Sequence, residues 1–340
     1  MADYFIGVTS IPTFGTCNRA WFWRHVDRLI LRDFQKSREL GTLIHAFLAG
    51  YYQSLKEGDN YTDAYERGFL KLDESYYGMQ QEWGEINSAG LAEILDIAIG
   101  VTRNYVDPFS EYEIVAVEHP IGHTILGTSP SIAIRGIIDL ILRDKEGGLH
   151  LVDHKTKARF DSYSGLLRID TQLLTYAFLW YVSTGTSVID VTHNEILRKY
   201  PQSPPVLKSG KLSTSAQTLA NTTKEVYYDA IIDNELDPEE YQDALDYLEK
   251  FPGEWTRQIT VPIANSLNYF SENMAKSLTM IARALSDRDS FDYASPSLYH
   301  CRTCPYQEVC ITQFMGGDYK TILTGLFMEE TLTGDDEIES

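Results

Sequence analysis

Residues 131–142, SIAIRGIIDLIL, and residues 149–156, LHLVDHKT, decide how this chain is read. Both are apolar, β-branched runs of strand character. Side chains on a strand alternate faces, so Asp139 is expected beside Arg135, Ile137 and Ile141, and Asp153 beside Lys155 and Leu151. A carboxylate in an apolar strand is costly to bury unless it is paired or binds a cation. Two carboxylates and one ammonium at neighbouring strand ends therefore form a candidate site. Two carboxylates a few ångströms apart either share a proton or admit a cation between them. Hard oxygen ligands suit Mg²⁺ or Mn²⁺, and such an ion activates water and neutralises phosphate charge. Lys155 would orient that water or stabilise developing charge. The alternative is a structural ion pair between Asp153 and Lys155.

Outward from these strands, segments 9–33, 39–56, 61–73 and 88–105 read as helices, with Ser10 capping the first and Pro12 just inside it. Residues 113–119 and 188–198 read as further strands, and 170–183 as a helix. PQSPPVLKSGKLS, residues 201–213, is a loop, and 214–289 reads as mostly helical. This order predicts an α/β fold, a central mixed sheet flanked by helices. It is expected as a single domain over 1–325, with a helical N-terminal part 9–107, a core 111–200 and a helical part 214–312. An acidic tail, 326–340, follows.

The chain has 340 residues and carries 29 Lys and Arg against 49 Asp and Glu, a net charge of −20. That excludes a generally basic, nucleic-acid-coating surface but leaves room for a local cationic groove. The expected groove runs along Arg19, Arg24 and Arg28 with the loop lysines Lys208 and Lys211. Trp21, Phe22 and Trp23 lie within it, to stack on bases or to pack in the core. There is no apolar run of membrane-spanning length and no secretory leader pattern, so a cytoplasmic location is expected.

The four cysteines are Cys17, Cys301, Cys304 and Cys310. The last three lie in CRTCPYQEVC. Without a leader a disulfide pattern is disfavoured, and four thiolates suit either tetrahedral Zn²⁺ or an iron–sulfur cluster.

GIIDLI followed by LVDHKT resembles the core of the PD-(D/E)XK nuclease superfamily, in its RecB-like branch. GTLIH, residues 41–45, is similar to the helical motif whose histidine, here His45, ligates metal. Glu118, on the preceding strand, resembles an auxiliary acid. TQLLTY, residues 171–176, resembles the Gln-x-x-x-Tyr motif, here Gln172 and Tyr176. One cysteine before the core and three after it resemble the iron–sulfur staple of CRISPR-associated adaptation nucleases and AddB-type subunits. Asn18 departs from a proline common at that place, and the 208–211 loop is weakly similar to phage-encoded members. The resemblance implies a Mg²⁺- or Mn²⁺-dependent deoxyribonuclease, an exonuclease on single-stranded DNA or DNA ends, in DNA recombination or repair. It implies His45, Asp139, Asp153 and the His154 carbonyl as metal ligands, Lys155 as the catalytic cation, and a 4Fe-4S cluster on the four cysteines. A protein partner in a processing complex fits the acidic body. The alternatives are a non-cleaving DNA-end-binding factor and a zinc-stapled endonuclease of the same fold.

Overall fold

The structure is a computed structural model and describes residues 3–125, 127–160, 164–263, 266–287, 291 and 294–330. In chain order the strands are β1 (Tyr4–Gly7), β2 (Leu29–Leu31), β3 (Glu113–Ile125), β4 (Ile132–Arg143), β5 (Leu149–Lys157), β6 (Asp190–Leu197), β7 (Thr256–Pro262) and β8 (Phe327–Glu329). The helices are α1 (Ser10–Phe14), α2 (Asn18–His25), α3 (Lys36–Glu57), α4 (Tyr61–Arg103), α5 (Thr171–Thr184), α6 (Ala216–Leu219), α7 (Lys224–Asp233), α8 (Gln242–Lys250), α9 (Ser266–Ser286), α10 (Gln307–Phe314) and α11 (Tyr319–Leu326).

The isoleucine-rich β4 is the hub of a mixed sheet in the order β1-β4-β5-β6-β7, with β3 also paired to β4. Along one edge β4 is antiparallel to β3. Its other edge is shared. Ile132 to Arg135 pair in parallel with β1, and Leu140 to Arg143 pair antiparallel with β5. Residues 136–139 lie between these two ladders. β6 runs parallel to β5, and β7 closes the far edge antiparallel to β6.

Both faces of the sheet are covered, as a mixed α/β sheet requires. Ile134, Ile138, Ile141, Leu151 and Val191 pack with Leu173 and Ala177 of α5 and with Leu278 and Ile281 of α9. Leu140, Leu142 and Val152 pack on the other face with Phe47 of α3 and Leu91 and Ile94 of α4. The segment around α7 and α8 has its own small core of Leu212, Tyr227, Ile231, Tyr241 and Leu248.

The expected mixed sheet flanked by helices is therefore present, with local differences. The 9–33 helix is instead two helices and a strand. Cys17 is extended (φ −159°, ψ 110°) and stops α1 from running into α2, and Arg28 at φ 50° turns the chain into β2. The helices expected at 61–73 and 88–105 are one element, α4, broken at Asn87 (φ −147°, ψ 54°). There the Asn87 side chain accepts the Gly90 N–H at 3.0 Å, in place of a helical carbonyl. β7 interrupts the region expected to be helical. It is an edge strand of alternating exposure ending on Pro262, and proline is tolerated at such an edge. The tail is ordered at its start, because β8 pairs antiparallel with β2. Its residues 331–340 lie outside the described residues.

Candidate active site

Where β1 and β5 part along β4, backbone groups lose their ladder partners and side chains take them over. The Asp139 carboxylate accepts the His154 backbone N–H at 2.7 Å. The Tyr176 hydroxyl accepts the Ile137 backbone N–H and also bonds Gln172. Tyr176 reaches this gap because residue 136 is glycine. A Cβ there would lie 2.6 Å from the Tyr176 ring and 2.8 Å from Val8.

Asp153 is 3% exposed. Its Oδ1 accepts Lys155 Nζ at 3.1 Å and Gln172 Nε2 at 3.1 Å, and the same Nζ donates to Gln172 Oε1 at 3.1 Å. The acid, lysine and glutamine thus form a closed triangle between β5 and α5. Asp170 caps α5 by accepting the N–H groups of Gln172 and Leu173, which fixes the helix start that carries Gln172. Nζ also lies 2.9 Å from Asp153 Oδ2, but without hydrogen-bond geometry, so Oδ2 is buried without a donor.

His45 projects from α3 toward the same gap, its Nδ1 3.7 Å from Asp139 Oδ2. One ligand atom from each of His45, Glu118 and Asp139 lies within 4.8 Å of the others. Val117 pairs Leu140 and His119 pairs Ile138, so Glu118 stands opposite Asp139. Glu118 has φ 43°, a left-handed conformation rare for a residue with a side chain. It marks a break in the strand alternation. Ile138 and Ile141 fall in one core although they are three apart. Strict alternation fails at Asp139, so Arg135 and Ile137 do not share a face with Ile141. Arg135 instead stacks on Phe5, 3.4 Å from the ring centroid.

The His154 side chain turns away from the acids, to the α3–α4 face. It stacks on Tyr52 at 5.7 Å and has Asn194 Nδ2 3.0 Å from its Nδ1. Asn194 donates to the Tyr105 hydroxyl, Tyr105 bonds Tyr52, and Tyr52 donates to Asp107. This buried network anchors β5 from behind the site.

One residue that sequence reasoning missed is His193. Register sets it beside Asp153, with Nε2 3.6 Å from Asp153 Oδ2. It is buried, and neither ring nitrogen has a hydrogen-bond partner.

Burial pushes the Asp153 carboxyl above its ordinary range; Lys155 opposes this and Asp139 adds to it. Burial alone would lower Lys155, but Asp153 and Asp139 outweigh it, and the ammonium is held above its usual value. Burial lowers His193 against the pull of Asp153, and it drives His154 well down, with His45 adding to the effect. The pocket thus combines a fixed cation with clustered carboxylates.

Cys17, Cys301, Cys304 and Cys310 line one cavity of about 620 Å³, and none forms a disulfide. Burial raises the Cys304 thiol and pushes Cys310 up to about 11; Arg19 opposes the latter shift. Arg19 is 4% exposed and is held by cation–π contacts to Trp23 (4.5 Å) and Tyr319 (5.5 Å).

The cationic groove expected along Arg19, Arg24 and Arg28 does not form. Arg19 is buried, Arg24 pairs with Glu330 at 2.6 Å, and Arg28 pairs with Glu329 at 2.9 Å. Trp21 and Trp23 are core residues, and Lys211 pairs with Glu240 at 2.8 Å. No helix among the described residues is long and apolar enough to cross a membrane.

The sequence model of the PD-(D/E)XK nuclease superfamily matches residues 6–311. A solved structure titled "Crystal structure of SSO0001" is 12% identical, with a TM-score of 0.30 over 81% of this chain and 94% of that one. A search of curated proteins found no match. The family match spans both acid-bearing strands, α3, α5 and all four cysteines, and the chain belongs to the PD-(D/E)XK nuclease superfamily.

Proposed function

We propose that the protein is a Mg²⁺- or Mn²⁺-dependent deoxyribonuclease that acts on single-stranded DNA or DNA ends. The observation that carries this reading is the convergence of His45, Glu118 and Asp139 beside the Asp153–Lys155–Gln172 triangle. Bound there, a divalent ion would supply an activated water and neutralise phosphate charge. His45, Asp139 and Asp153 would hold it, with Glu118 as a further carboxylate and the His154 carbonyl as a further oxygen. The donor-free Oδ2 of Asp153 and the upward push on its carboxyl fit a site that favours added positive charge. Lys155 would hold its proton and stabilise charge on the phosphate. Gln172 keeps Lys155 and Asp153 in register, and Tyr176 supports Gln172.

On this reading Cys17, Cys301, Cys304 and Cys310, which line one cavity, would hold a 4Fe-4S cluster that ties the N- and C-terminal segments together. A buried guanidinium requires a counter-charge. Among the described residues Arg19 has aromatic partners but no ion-paired carboxylate, and four thiolates would supply the missing charge.

The deciding experiment incubates the protein with Mn²⁺ and end-labelled linear or circular single-stranded DNA. Loss of the linear substrate with the circle intact is expected. Cutting of the circle would assign an endonuclease, and no cutting of either would remove the enzymatic reading.

A further inference from the structure

With net charge −20 and the N-terminal arginines committed to the tail, a polyanion must meet cations elsewhere. The sheet supplies them. Cross-strand register sets Lys155 of β5 opposite Glu195 of β6, and Glu195 opposite Arg257 of β7. Directly opposed residues share a sheet face, so this row runs from the catalytic lysine across two strands on the face of Asp153. Glu195 is buried within it, pairing with Arg257 at 2.5 Å and Lys157 at 3.6 Å. One acid thus holds two cations in place.

The strand ends add further cations. The Arg198 N–H donates to the Lys157 carbonyl at 2.7 Å, which locks the ends of β5 and β6 side by side. Arg159 and Lys199 follow directly and are exposed. Two aromatics accompany the cations. Arg257 lies 4.6 Å from the centroid of Phe160, and Lys199 Nζ 5.3 Å from that of Trp255. A cationic track interleaved with aromatic rings binds single strands, because phosphates meet charge while unpaired bases meet a π face.

We propose that a single DNA strand crosses this end of the sheet, its phosphates held at the strand ends by Arg159, Arg198 and Lys199, beside the Glu195-paired Lys157 and Arg257. The proposal rests on the nuclease reading and names the surface that feeds its site. Phe160 and Trp255 would contact the bases.

The test is the triple variant R159A/R198A/K199A, whose changes lie at the surface and spare the acid–lysine triangle. Binding of fluorescein-labelled oligo(dT) is followed by anisotropy in EDTA across a salt series. Affinity should fall roughly ten-fold or more, and the slope of log K against log salt should drop by about 0.7 for each phosphate that the variant no longer neutralises. Hydrolysis of bis(p-nitrophenyl) phosphate with Mn²⁺, which needs only the metal site, should be unchanged. The control R24A/R28A should keep the wild-type slope. An unchanged slope in the triple variant overturns the track while leaving the nuclease reading intact if the wild type cleaves DNA. Equal loss of the small diester's hydrolysis would attribute the effect to the site and also overturn the track. A wild-type protein that neither binds nor cleaves DNA removes both readings.

Discussion

Asp139 accepts the His154 backbone N–H at 2.7 Å, just past the last β4–β5 pair, Leu140 with Val152. The carboxylate is thus positioned by main chain rather than by another side chain. Lys155 and Gln172 position Asp153 from the opposite side, through side chains. The gap in the β4 ladder and the acidic site are one feature.

Asp139→Asn keeps an oxygen that can accept the His154 N–H, so the fold should survive while Mn²⁺-dependent cleavage falls by about 10² or more. Lys155→Met should abolish cleavage too, and it leaves Asp153 buried without its cation. It should therefore lower stability by about 1–3 kcal/mol. Cleavage rates and thermal melts on both variants separate these effects. Near-wild-type turnover in both would remove the site assignment.

His193 packs against Asp153 and should act by orienting that carboxylate. His193→Gln is expected to weaken Mn²⁺ binding roughly ten-fold, read by titration calorimetry, with turnover recovering at saturating Mn²⁺. Unaltered affinity would reduce His193 to packing.

Anaerobically purified protein should be brown and carry iron. Cys17→Ser should lose the colour and melt at a lower temperature. Arg19→Leu should retain less iron, and any cluster that remains should show a lower reduction potential, because a cation that favours the reduced form is gone. Colourless wild-type protein with stoichiometric zinc would replace the cluster by a zinc site.

His150 bridges Asp190 at 2.9 Å and Asp144 at 3.0 Å. Burial alone would lower its pKa, but the two aspartates raise it overall. A histidine raised in the folded state stabilises fully below its unfolded pKa of about 6.5, and that stability is lost as pH rises through the folded value. The melting difference between wild type and His150→Asn should therefore be largest near pH ~5.5 and shrink toward pH ~8.5. A constant difference would show that the ring contributes by packing alone.

The sheet and its acids were legible because their signals are local. Apolar alternation marks β4 and β5, and acid-x-lysine places Asp153 and Lys155 on one face whatever the rest of the chain does. His193 was not legible, because its place beside Asp153 depends on parallel register across the α5 crossover. Nor was the fate of Arg24 and Arg28. Their partners, Glu330 and Glu329, lie at the other end of the chain, and a basic run reads as a groove until its counter-charges are placed. The break in alternation at Asp139 has no signature in composition; it lies opposite Glu118, whose backbone is left-handed. β1 and β8 are too short to show a period.

Pairing between β2 and β8 joins Leu29–Leu31 to Phe327–Glu329, which has a consequence for biosynthesis. Leu29, Ile30 and Leu31 leave the ribosome about 300 residues before their partner strand. At 5–20 residues per second this apolar edge waits roughly 15–60 s for its mate. Throughout that interval Trp23, which shares a core with Phe327, is also uncovered. The nascent chain therefore exposes an unpaired strand edge over that interval. The region around β2 is completed only once β8 has been made.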